Sequence, residues 1–206
     1  MLYFDVGANI GRWSLSNIND NKIIAIEAVP NTFEILKNNC LNHHIICLNY
    51  AVCDNNNDDI VFYNASGSTP TLSTLNLEWL TDKKSRFYNT SYTEIKCHTI
   101  KLDDLINKYG IPDLIKIDVE GGEYDCIKSL TQKVNLLCFE WASETNDITL
   151  KCLDYLYELG FKQFFIQNND EYTFRPEDTK YIDILSIKQL LKSTIPKKDW
   201  GMMWCK

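Results

Sequence analysis

The chain has 206 residues, 45% of them hydrophobic, which is enough to pack one α/β domain around a single core. Its net charge of −7 and pI near 5.0 argue against a nucleic-acid backbone as the main partner, because such sites are built from basic patches. No apolar run is long enough for a membrane span and no signal-peptide pattern opens the chain. The eight cysteines form no C-x-x-C pair, so they read as reduced thiols of a cytoplasmic protein.

The first element is an apolar strand, Leu2-Tyr3-Phe4-Asp5-Val6, running into the turn Gly7-Ala8-Asn9-Ile10-Gly11, which opens an amphipathic helix. Glycine is needed where backbone turns tightly and presses on a ligand, and a helix start aims free N–H groups at whatever lies above it. Asp5 stands at the carboxyl end of its strand, where open α/β sheets bind ligands. A dinucleotide site asks for G-x-G-x-x-G, and the spacing here is Gly7-x-Asn9-x-Gly11. An acid two residues before the first glycine suits a cationic amino group better than a pyrophosphate. Next, Lys22-Ile23-Ile24-Ala25-Ile26-Glu27-Ala28 reads as a buried parallel strand ending in a carboxylate about 20 residues on, where a ribose-binding acid is expected. Glu27 either accepts hydrogen bonds from ribose hydroxyls or is a solvated strand-end acid. Pro30 starts a helix whose apolar face is Phe33, Leu36, Cys40 and Leu41, and His43-His44 suit the dipole at its end.

A third strand is expected over Ile45 to Cys53, with Val52 in the layer that lines an adenine pocket, and a short extra strand over Ile60 to Tyr63. The small-polar stretch Ser66 to Leu75 is too long for a simple turn. Trp79, Phe87, Tyr88 and Tyr92 follow it. They either stack on sugar rings, with Ser66, Ser68, Thr69 and Ser73 binding hydroxyls, or plug the edge of the core. Tyr92 to Leu102 alternates as a strand and leads into a helix at Asp103-Asp104-Leu105, which Ile111-Pro112 stops. The strand Asp113 to Asp118 ends in two acids, Asp118 and Glu120, before the sharp turn Gly121-Gly122. Leu136 to Trp141 is a strand carrying Glu140, and Leu150 to Leu159 is a helix closed by Gly160. Phe161 to Gln167 and Trp200 to Cys205 are the last strands. This alternation predicts a doubly wound, mostly parallel sheet in one domain over residues 1–206.

Four stretches occur in a telling order: Asp5-Val6-Gly7-Ala8-Asn9-Ile10-Gly11, Glu27 followed by Pro30, Thr99-Ile100-Lys101-Leu102-Asp103-Asp104-Leu105, and Ile117-Asp118-Val119-Glu120-Gly121. The first resembles the D/E-x-G-x-x-x-G signature of class I methyltransferases, and together they resemble the FkbM family over roughly the first two-thirds of the chain. The resemblance implies a Rossmann-like seven-stranded sheet with an antiparallel final strand, S-adenosylmethionine as cofactor, and O-methylation, often of sugar or polyketide hydroxyls. It implies cofactor contacts from Asp5, Gly7, Asn9, Gly11, Glu27, Ala28, Val52 and Asp118. Class I methyltransferases commonly carry N-terminal helices over the cofactor, whereas here the first strand starts at once. The chain is therefore expected to be either a minimal enzyme or one domain linked to covalent neighbours.

Methyl transfer from a sulfonium is an in-line displacement that aligns a hydroxyl oxygen roughly 3 Å from the methyl carbon and removes a proton. Asp118 and Glu120 sit where the methyl group should project, and like charges so close raise one pKa towards neutrality. Glu140, on the adjacent strand end, joins them as a candidate catalytic group, and three carboxylates could instead hold Mg²⁺. The alternative is that Asp118 orients the cofactor and Glu120 serves a helix dipole. His98 is either a base or a structural polar residue. Two rival functions stand beside this one: a nicotinamide-dependent oxidoreductase, disfavoured by the missing third glycine, and a non-catalytic binding module. The expected acceptor is a carbohydrate or small molecule.

Overall fold

The computed structural model describes residues 1–55, 60–66, 72–83, 85–193 and 199–206. In chain order the elements are β1 (Leu2–Val6), α1 (Arg12–Ser16), β2 (Lys22–Ile26), α2 (Pro30–Asn39), β3 (Ile45–Leu48), β4 (Ala51–Val52), β5 (Ile60–Ala65), α3 (Glu78–Thr81), β6 (Tyr92–Cys97), β7 (Thr99–Ile100) and α4 (Leu102–Tyr109). There follow β8 (Leu114–Ile117), α5 (Glu123–Lys128), β9 (Leu137–Ala142), α6 (Asn146–Glu158), β10 (Phe164–Asn168), α7 (Ile184–Ser193) and β11 (Trp200–Cys205). Seven strands form the central sheet in the order β10-β11-β9-β8-β1-β2-β3. All neighbours are parallel except β11, which runs antiparallel to both β9 and β10. This is the expected doubly wound, Rossmann-like sheet with an antiparallel final strand.

The central strands are continuous apolar runs because helices or loops cover both faces. On one face Phe4, Ile24, Ile117 and Phe139 pack with residues of α4, α5, α6 and α7. On the other, Leu36 of α2 packs on Ala25, and Trp13 of α1 packs with Leu114, Cys138 and Trp204 beside Tyr172 and Phe174. Strand register carries one row across this second face: Ala25, Asp5, Lys116, Cys138, Trp204 and Phe165. A buried acid and a buried lysine thus stand side by side in an otherwise apolar layer. All eight cysteines are free, seven of them buried and Cys47 half-buried. Among the described residues no helix is long and apolar enough to cross a membrane.

Several boundaries differ from the sequence reading. The stretch Ile45 to Cys53 is two strands, because the Asn49 side chain donates to the carbonyls of Glu27 (2.8 Å) and Ala28 (3.0 Å) and turns the chain out of the main sheet. Ala51–Val52 then pairs with β7 in a separate ladder. Tyr92 to Leu102 breaks at His98: β6 pairs antiparallel with β5, and Leu102 already belongs to α4. Phe161 precedes β10 as a fully buried residue outside the strand. The first helix is a single short turn, and α6 starts four residues earlier than expected, at Asn146 rather than Leu150.

Candidate active site

Two turns at the carboxyl ends of β1 and β8 make the centre of the site. In the first, Gly7, Asn9 and Gly11 all have positive φ (76°, 50° and 89°), the left-handed region that glycine and asparagine tolerate best. The glycines answer to protein rather than to ligand. A Cβ on Gly7 would lie 1.8 Å from the Asp118 carbonyl oxygen, and one on Gly11 would lie 2.8 Å from Leu36 Cδ1. The backbone N–H groups of Gly7 and Ala8 both donate to the Ile26 carbonyl (3.0 and 2.9 Å), which ties the turn to β2. Glu27, 9% exposed, completes the tie: its Oε2 accepts from Asn9 N–H and its Oε1 from Val29 N–H, both at 2.9 Å. Burial pushes the Glu27 pKa up, and these two hydrogen bonds oppose that shift.

The second turn runs from Asp118 to Gly122. Glu123, at the start of α5, accepts the N–H groups of Val119 (3.2 Å) and Gly121 (3.1 Å) through one oxygen and shapes the turn from inside. Glu120 and Gly121 have consecutive positive φ values of 55° and 84°, which lift the Glu120 side chain out of the helical path. Trp79 Nε1 donates to Glu120 Oε2 at 3.1 Å. Asp118, Glu120 and Glu140 each bring one oxygen within 4.8 Å of the others. Burial first, then the neighbouring acids, pushes Glu120 and Glu140 well above the ordinary carboxylate range, and burial brings Glu123 up to about 7.

Lys116 binds the two turns together. It is 4% exposed, and its Nζ lies 3.0 Å from Asp118 Oδ2, 3.5 Å from Asp5 Oδ1 and 3.4 Å from the Gly7 carbonyl. Burial alone would lower its pKa, but Asp118 and Asp5 outweigh that and keep it charged. Asp5 itself is fully buried, with Oδ2 accepting from Ser14 Oγ at 2.6 Å.

A cavity of about 280 Å³ lies over these turns. One end is apolar, walled by Val29, Val52 and Phe62; the other is acidic, walled by Asp118, Glu120 and Asp170 around Lys116. Of the residues singled out in the sequence, Gly7, Asn9, Glu27, Ala28, Val52, Asp118 and Glu120 are on the wall. Asp5 and Gly11 lie behind it, supporting the turn, and Glu140 joins through its carboxylate neighbours. His98 is exposed between β6 and β7, its ring 6.4 Å from that of Tyr50, and is not on the wall. Three of the four aromatics pack against protein: Trp79 is 3% exposed and meets Phe87 at 5.1 Å, while Tyr92 meets Tyr63 edge to face at 5.5 Å. Tyr88 is exposed and Ser73 is on the cavity wall, whereas Ser68 and Thr69 fall outside the described residues.

Sequence reasoning missed Lys116 and Asp170. The one signal for Lys116 was a charged residue inside an apolar strand. Asp170 follows β10 in a segment with no periodicity, and burial brings its carboxyl up to about 6.

None of the curated proteins compared with the chain matches it in sequence. Among solved structures, a precorrin-6y C5,15-methyltransferase from Geobacter metallireducens aligns with a TM-score of 0.45 and 11% identity, over 100% of this chain and 79% of that one. The fibrillarin pre-rRNA processing protein of Methanococcus jannaschii aligns with a TM-score of 0.48 and 14% identity, over 99% of this chain and 65% of that one. The sequence model of the methyltransferase FkbM domain matches residues 5–163, a span that takes in both turns, Glu27, Lys116 and all three clustered carboxylates. The chain belongs to the FkbM family of S-adenosylmethionine-dependent methyltransferases.

Proposed function

We propose that this methyltransferase domain is a cytoplasmic O-methyltransferase whose acceptor is a carbohydrate hydroxyl. The observation that carries the reading is the polarity of the cavity: an apolar end, a buried acid at its middle and three clustered carboxylates at the strand ends. That layout fits a molecule with an aromatic base, a ribose diol and a cationic tail. Bound there, S-adenosylmethionine supplies a methyl group on a cationic sulfur. Val29, Val52 and Phe62 would hold the base, and Glu27 the ribose through the lone pairs its backbone donors leave free. The Gly7–Asn9 turn and Asp118 would meet the tail.

Lys116 pairs with Asp118 at 3.0 Å, while burial and the neighbouring acids push Glu120 and Glu140 well above the ordinary carboxylate range. A carboxylate with a raised pKa is the better proton acceptor for a weakly acidic hydroxyl, and a cation bound nearby favours its ionised form. Glu120 is therefore the proposed general base, with Glu140 sharing its charge. A divalent cation on Asp118, Glu120 and Glu140 is the second reading; Lys116, already 3.0 Å from Asp118, counts against it. The acidic groups on the cavity wall disfavour a polyanionic acceptor. A polyketide or phenol hydroxyl is the alternative acceptor.

The test is transfer of a labelled methyl group from S-adenosylmethionine to a panel of oligosaccharides, small phenols and RNA. Wild type should label oligosaccharides. Glu120→Gln should cut turnover by ~10²-fold while leaving affinity for S-adenosylhomocysteine intact. Transfer only to phenols or RNA overturns the carbohydrate acceptor, and full activity of Glu120→Gln removes it as base. A loss on chelation that Mg²⁺ restores assigns the three carboxylates to a metal.

A further inference from the structure

A cationic tail in this cavity needs an anion to meet it, and most of the acids nearby are engaged by the protein. Asp5, the residue the sequence offers for the task, has no exposed surface for a ligand: its Oδ2 accepts from Ser14, and its Oδ1, without a hydrogen-bond partner among the described residues, lies 3.5 Å from Lys116. Asp118, which would also border the tail, already has Lys116 as its cation at 3.0 Å. Both Glu27 oxygens accept backbone N–H groups, Glu120 accepts from Trp79, and Glu140 is not on the cavity wall. Asp170 is different. It is on the cavity wall and half-buried, and no group among the described residues donates a hydrogen bond to it. Its carboxylate therefore borders the cavity with acceptors that a bound cation can use.

Its position is built rather than incidental. Asp170 leads a strap that crosses the second face of the sheet. Arg175 anchors the strap, its guanidinium 5.9 Å from the Tyr3 ring, 5.8 Å from Trp13 and 5.4 Å from Trp204. Arg175 also donates to Asn17 Oδ1 (2.7 Å) and the Phe174 carbonyl (2.6 Å), and Asn17 Nδ2 donates to the Tyr172 carbonyl (3.1 Å). Phe174 stacks on Phe165 at 5.8 Å. The strap therefore holds Asp170 and Tyr172 at the acidic end of the cavity, where Lys116 attracts the Asp170 carboxylate and Asp118 and Asp5 repel it. We infer that Asp170 is the anion that receives the α-ammonium group of the cofactor's methionine tail, in place of the fully buried Asp5. The inference rests on the reading that S-adenosylmethionine occupies this cavity.

The experiment compares two ligands by calorimetry. S-adenosylhomocysteine carries the α-ammonium group, and 5′-methylthioadenosine shares the base and ribose but lacks the amino-acid tail. Asp170→Asn should weaken S-adenosylhomocysteine at least ~10-fold, the loss expected for one charge-assisted hydrogen bond, and leave 5′-methylthioadenosine unchanged. Wild-type affinity for S-adenosylhomocysteine in the variant overturns the assignment and leaves the cofactor reading standing. An equal loss for both ligands also overturns it, since that marks a loosened cavity. If wild type binds neither ligand, the cofactor reading falls and takes this assignment with it.

Discussion

At Gly7 two demands meet on one residue. Its φ of 76° is a conformation that costs a residue with a side chain about 1–2 kcal/mol, and its missing Cβ leaves room for the Asp118 carbonyl. Gly7→Ala must therefore pay the backbone cost and also push the β8–α5 turn away from β1. We expect a loss of about 3 kcal/mol in urea unfolding, with affinity for S-adenosylhomocysteine falling further than stability alone explains. A loss below about 1 kcal/mol would mean that the two turns separate without consequence. Glu27 works in the same register. A strand-end acid reads from sequence as a ligand contact, and in the structure it first fastens two protein turns. Its carboxylate has four acceptor positions, so this structural duty leaves room for a ribose.

The strap after β10 shows at the scale of an element what sequence patterns capture and what they miss. β1, β2, β8, β9 and β11 were legible because strands covered on both faces are mostly apolar runs, and β1, β2 and β8 lead directly into Gly or an acid. The Gly7–Gly11 spacing and the Asp118–Gly122 run were legible for the same reason: strand, turn and helix start follow one another within a few residues. The split at Asn49 was not legible, because a side chain bonding to carbonyls more than 20 residues away in sequence leaves no periodic trace. The strap likewise has no repeat, and its order comes from Arg175 meeting three rings drawn from β1, α1 and β11. Arg175→Met keeps the bulk and removes the donors and the cation. It should cost about 2 kcal/mol and raise amide exchange across residues 169–181 before the rest of the molecule loosens. Arg175→Lys should recover only part of this, since an ammonium cannot reproduce the planar fork. Exchange that rises uniformly, or not at all, would show that the strap does not depend on this anchor.

Across the whole molecule the buried acids give a net pH dependence. Glu123 is raised to about 7 and Asp170 to about 6, and burial also lifts Asp5, Glu27, Glu120 and Glu140. Glu144, bound by Arg86 at 2.6 Å, and Asp183 shift the opposite way. Between the ordinary carboxylate pKa and about 7, the folded chain keeps protons that the unfolded chain has released, so stability falls as pH rises through that window. The growing negative charge of an already acidic chain acts in the same direction. Urea unfolding of the ligand-free protein should therefore show greater stability at pH 5 than at pH 7.5, and Glu123→Gln should flatten the difference. A cationic ligand reverses the balance, because a positive charge beside these acids favours their ionised forms and expels protons. Calorimetry in buffers of different ionisation enthalpy should show protons released on binding S-adenosylmethionine, and fewer on binding S-adenosylhomocysteine, which lacks the sulfonium charge. Stability that climbs from pH 5 to 7.5, or binding with no proton release, would mean that the clustered carboxylates are ionised before any ligand arrives.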